Sequence, residues 1–100
     1  MAKNDKLENI VSLLKEQREF LEKKYKVKKI GVFGSYVRGE QDKDSDIDIL
    51  IDKDETIGLL KLANLQNYLS DLIGIRVDLA LKKSLRPHIS KNILDEVIYV

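Results

Sequence analysis

The stretch from Ile30 to Ile51, IGVFGSYVRGEQDKDSDIDILI, decides the reading of this chain. Its left flank, Val27 to Phe33, is short, rich in β-branched residues and stopped by Gly34. That pattern predicts a buried strand running into a turn. Its right end, Ser45 to Ile51, alternates strictly: Asp46, Asp48 and Leu50 take one face, and Ile47, Ile49 and Ile51 the other. This is a strand with one apolar face and one acid-bearing face. Gly39 breaks the chain between the two, leaving space for a turn or a short helix.

Outward from this stretch the periodicities change. Leu7, Ile10, Val11, Leu14, Leu21 and Tyr25 recur at intervals of three and four, so Asp5 to Tyr25 reads as an amphipathic helix with Asn4 or Asp5 as its cap. Thr56 to Ile73 reads as a second helix, with Gly74 as its C-terminal cap. Ile75 to Leu81 alternates again, with Val77, Leu79 and Leu81 facing a core and Arg76, Asp78 and Ala80 facing away from it. Pro87 suits the first turn of a last helix ending near Asp95, and Val97 to Val100 suits a short closing strand. Together these elements imply one layered α/β (α+β) domain over residues 1–100, built around a short mixed sheet.

Composition narrows the function classes. A chain of 100 residues has material for one hydrophobic core. It has no cysteine, no apolar run near the ~18 residues of a membrane span and no leader-like N-terminus, so the expectation is a cytoplasmic protein without membrane contact. A net charge of +1 gives no reason to expect direct nucleic-acid binding. The charges are nevertheless segregated. Eight acids fall between Glu40 and Glu55, while Lys23, Lys24, Lys26, Lys28 and Lys29 crowd around Tyr25 and Val27. A smaller basic group, Lys82, Lys83, Arg86 and Lys91, has the charge to face a polyphosphate or an acidic partner.

Asp46 and Asp48 lie two apart on one strand, which places their α-carbons about 6–7 Å apart on the same face. Their mutual repulsion is relieved by a divalent cation, and an all-oxygen ligand set favours Mg²⁺ or Mn²⁺ over Zn²⁺. Asp78 has the matching parity on another strand and becomes a third ligand if the two strands are neighbours, making a site for two ions. Gly34 and Ser35 offer backbone N–H groups and a hydroxyl to phosphate oxygens, helped by a helix dipole if Ser35 opens a helix. Arg38, about one turn on, adds a charged fork. His88 reads as an exposed or capping residue. Tyr36 reads as a packing residue that also lies close enough to Ser35 to stack on a base. Tyr25, Tyr68, Tyr99 and the leucines from Leu59 to Leu72 read as core.

Gly34-Ser35, ten intervening residues, then Asp46-x-Asp48 resembles the signature of the DNA-polymerase-β-like nucleotidyltransferase superfamily. Four fixed residues at that spacing arise by chance in roughly one such chain in 10³. The whole stretch, with Arg38-Gly39, VDLAL around Asp78 and the ILDEVIYV ending, is similar to the minimal nucleotidyltransferase (MNT-domain) proteins. The resemblance implies that Gly34 and Ser35 bind the nucleotide phosphates, with Arg38 beside them. It also implies that Asp46, Asp48 and Asp78 are the catalytic, metal-holding acids for Mg²⁺, two ions in all, with ATP as substrate. Ser35 is then a phosphate ligand, not a nucleophile. Minimal members are typically encoded beside a HEPN-domain RNase toxin and act as its antitoxin by moving AMP from ATP to a toxin tyrosine. That is the activity the resemblance implies here. Neutralisation by contact alone, and transfer to a small molecule or an RNA end, stay open as alternatives.

Overall fold

The computed structural model describes residues 4–54 and 56–100. Glu55 lies outside the described residues, and the Asn4 and Asp5 side chains, expected as caps, are likewise outside what is described. The elements follow the order the sequence implies: α1 (Asn4–Tyr25), β1 (Val27–Phe33), α2 (Ser35–Arg38), β2 (Ile47–Lys53), α3 (Leu59–Ile73), β3 (Val77–Leu81), a 3₁₀ turn (Lys82–Ser84), α4 (Pro87–Glu96) and β4 (Ile98–Tyr99).

The strands form one mixed sheet in the order β3-β2-β1-β4. β1 pairs antiparallel with β2 and β4, whereas β2 and β3 run parallel. The parallel pair follows from α3, because a helix between two strands carries the chain back to the starting edge. Parity then sorts the two faces. Ile30 and Val32 of β1 stand opposite Ile51 and Ile49 of β2. These residues join Leu7, Ile10, Leu14 and Leu21 of α1 and Leu65 and Leu69 of α3 in a single buried cluster. Each such aliphatic side chain removed from water contributes about 1.5–3 kcal/mol, which holds both helices on this face.

The opposite face is where the sequence puts its acids. Phe33 stands opposite Asp48 and Gly31 opposite Leu50, so the acid-bearing face of β2 continues across β1. Gly31 is small because β4 and the end of α4 press on it. A Cβ there would lie 2.7 Å from Val97 Cγ2 and 3.0 Å from the Ile98 carbonyl oxygen. Gly31→Ala should therefore push β4 outward and lower stability by about 1–3 kcal/mol in denaturant unfolding. Ala at Gly58, where an added Cβ meets nothing within 4 Å, serves as the control.

Two expectations need correction. Tyr99, expected to pack, is 43% exposed on edge strand β4, with Lys29 Nζ 5.8 Å from its ring centre. The leucine stripe is core only in its later part. Leu65 and Leu69 are fully buried, but Leu59 and Leu60, in the first turn of α3, are 84% and 79% exposed.

Candidate active site

The parallel ladder between β2 and β3 sets Asp48 directly opposite Asp78. Its start is pinned by the Ile47 N–H, which donates to the Arg76 carbonyl at 2.9 Å, and by the Val77 N–H, which donates to Ser70 Oγ at 3.0 Å. The neighbouring-strand condition for Asp78 is thus met. The two carboxyl groups are close enough to share a hydrogen bond, and Asp48 is pushed up from 3.8 to about 6. Partial burial is the largest cause, followed by the charge and hydrogen bond of Asp78 and the charge of Asp46. The Arg38 guanidinium acts in the opposite sense. An acid held above its ordinary value in this way has too little positive charge around it.

Asp46 has the same parity but a different partner. It lies just before β2, and its Oδ1 accepts from Arg76 Nε at 3.0 Å. It lines a groove with Lys6, Tyr36, Lys43 and Arg76, whereas Asp48 and Asp78 line another with Gly34, Arg38 and Glu96. Among the described residues no three acidic or histidine side chains converge as a ready ligand set. Asp48 and Asp78 therefore face one groove, while Asp46, paired with Arg76, lines another.

Gly34 is what lets the turn approach these acids. Its φ of 83° and ψ of −152° fall where L residues with a side chain are scarcely found, and a Cβ on it would run into the Asp48 carboxylate. Its N–H points outward from the turn and donates to Glu96 Oε2 at 2.8 Å. Arg38 Nη1 reaches the same carboxylate, at 3.0 Å to Oε1 and 3.1 Å to Oε2, while its Nε donates to Glu40 at 2.8 Å. Ser35 does open a helix, but α2 has only four residues. So short a helix has little macrodipole, and attraction for an anion here rests on the Gly34 N–H and the Arg38 charge.

Sequence reasoning missed Glu96. It is the last residue of α4, 62 positions from Gly34, and no local pattern links the two. Arg76 was visible only as a residue sharing the parity of Asp78. Tyr36 is 3% exposed and belongs to the core cluster, which supports packing over base stacking. Its hydroxyl pKa is raised, chiefly by burial and then by the charges of Asp42 and Asp46. His88 is exposed in the first turn of α4. Lys82, Lys83, Arg86 and Lys91 do not line the groove that holds Asp48 and Asp78.

Known proteins are similar to this chain in sequence and fold. The family model for the nucleotidyltransferase domain matches residues 14–100. The protein adenylyltransferase MntA of Thermococcus cleftensis is 51% identical over 94 residues, covering 94% of this chain and 95% of its own. A Methanocaldococcus jannaschii protein, provisionally named for the same activity, is 53% identical over 95 residues, covering 94% and 97%. A solved structure, provisionally described as a minimal nucleotidyltransferase, superposes with a TM-score of 0.75 at 31% identity, covering 98% of this chain and 95% of that one. A toxin-antitoxin crystal structure with AMP-PNP shares the fold, with a TM-score of 0.70 at 24% identity over 85% of this chain and 69% of that one. With the Gly-Ser turn set against paired strand acids, and with relatives matched nearly end to end, the chain belongs to the nucleotidyltransferase domain family, as a minimal nucleotidyltransferase.

Proposed function

We propose that this protein transfers AMP from ATP, with Mg²⁺, to a tyrosine hydroxyl of a HEPN-domain RNase toxin, and so serves as the toxin's antitoxin. The observation that carries the chemistry is the register pairing of Asp48 with Asp78 beside the Gly34 N–H and Arg38. The name of the Thermococcus relative supports a protein acceptor, and the toxin-antitoxin neighbours, among them an MntA-HepT complex, support a toxin partner.

The residues present fit the expected metal by their chemistry. Asp48 and Asp78 are oxygen donors that face each other across the β2–β3 ladder, and a divalent cation relieves the repulsion of such a pair. Asp46 completes the set on leaving Arg76. When bound, the metal would neutralise phosphate charge and acidify the attacking hydroxyl. Gly34, Ser35 and Arg38 would bind the triphosphate and hold the α-phosphorus in place. The acceptor hydroxyl would give up its proton to solvent, its oxygen bonding to that phosphorus as the bond to the bridging oxygen breaks and pyrophosphate leaves. The chain's contribution is positioning and charge neutralisation, the main sources of catalysis in phosphoryl chemistry.

Incubation with labelled ATP, Mg²⁺ and a cognate HEPN-domain toxin should put label on a toxin tyrosine, located by peptide mass spectrometry. Label on an RNA or small-molecule acceptor, with none on the toxin, would replace this acceptor. Neutralisation that survives Asp46→Asn with Asp48→Asn would mean that contact alone silences the toxin.

A further inference from the structure

Glu96 stands where a carboxylate is locally disfavoured. It is the final residue of α4, at the end of the helix that carries partial negative charge, and it shares a groove with Asp48 and Asp78. Neither neighbourhood attracts an acid. Its position is explained by three hydrogen bonds, one from the Gly34 N–H and two from Arg38 Nη1, at 2.8, 3.0 and 3.1 Å. These donors are two of the groups to which the proposed function gives the donor's phosphates. Carboxylate and phosphate oxygens suit the same N–H groups and the same guanidinium fork.

From this coincidence we propose that Glu96 is an internal competitor for the phosphate site, an affinity-determining residue that the nucleotide must displace in order to bind. This rests on the proposed function, and deepens it by naming what controls donor binding. The Gly34 N–H is a single donor and cannot serve both anions at full strength. If the seated form of Glu96 holds about nine-tenths of the molecules, the apparent Kd for phosphate is raised about tenfold. A triphosphate brings several charges against one, so it displaces Glu96 more readily than a nucleoside or a monophosphate does. After transfer, reseating of Glu96 favours departure of pyrophosphate.

The test uses the full chain and inorganic tripolyphosphate without metal, followed by calorimetry. Glu96→Gln removes the charge while keeping an acceptor, and Glu96→Ala removes both. Each variant should bind tripolyphosphate about tenfold more tightly than the wild type, with a cooperative melt showing that it is folded. In the wild-type protein, titration should also move the NMR signals of the Gly34 amide and the Glu96 carboxyl together, a readout that needs no variant. Equal or weaker binding by the variants, or no binding by any of the three proteins, overturns the proposal. Tripolyphosphate binding requires no acceptor and no transfer. Loss of labelled transfer with this competition intact would therefore count against the proposed function alone.

Discussion

Asp48→Asn should reduce nucleotidyl transfer by about 10³-fold or more and, without metal at neutral pH, should raise the melting temperature. The first effect follows from removing one charge of a carboxylate set that would hold Mg²⁺, where several kcal/mol of charge stabilisation correspond to roughly three powers of ten in rate. The second follows from the protonation of Asp48, pushed up from 3.8 to about 6 by burial and by Asp78. Between those two values the folded protein binds more protons than the unfolded chain, so stability falls as pH rises through the window. Above about pH 6 the ionised side chain carries the full cost, about 1–2 kcal/mol once solvent screening is allowed for. Asn does not ionise and escapes it. The wild-type and variant melting temperatures should therefore lie close together near pH 4 and separate by about 5 °C or more by pH 7. Added Mg²⁺ should raise the wild-type value at pH 7 and leave the variant nearly unmoved. A variant that melts lower than wild type at every pH would show that Asp48 is a structural residue and not a strained ligand.

The same acids show how much was legible in the sequence. β1 is found between Val27 and Phe33, as expected, because a β-branched run ending in Gly marks both its limits. Strand alternation gave Asp48 and Asp78 matching parity but left open whether their strands are neighbours, because side-chain facing carries no information on strand order; the parallel β2–β3 ladder is what sets them opposite each other. β2 begins at Ile47, not at Ser45, since alternation reports facing and says nothing about where ladder bonds start. That offset is what leaves Asp46 beyond the strand and available to Arg76. α3 starts at Leu59, not at Thr56, with Gly58 as its cap, and its first-turn leucines are exposed. The contact least legible was Glu96 with Gly34 and Arg38. It depends on how the end of α4 enters β4 at the sheet edge, which side-chain pattern alone does not encode.

Gly34→Ala should lower transfer by about 10²–10³-fold and stability by about 2–4 kcal/mol, by a route different from that of Asp48→Asn. No charge is removed. The added methyl would run into the Asp48 carboxylate, and the φ of 83° with ψ of −152° is a conformation that alanine adopts only under strain. The chain can respond by turning the 33–34 peptide or by driving Asp48 away from Asp78. The first response misdirects the N–H now donated to Glu96, and the second separates the paired acids. Either one disassembles the same site, so the loss should persist when activity is corrected for the folded fraction. Gly39→Ala separates this from general glycine effects. Gly39 also has a positive φ, 73°, yet a Cβ there meets nothing within 4 Å. It should cost about 1 kcal/mol and leave transfer per folded molecule within a few-fold of wild type. Equal losses at both positions would mean that turn flexibility matters, and not the approach of Gly34 to Asp48. A large loss confined to Gly34 would tie the Gly-Ser turn to the acids through one steric contact, which is why the turn and the acid pair act as a unit although ten residues separate them in the chain.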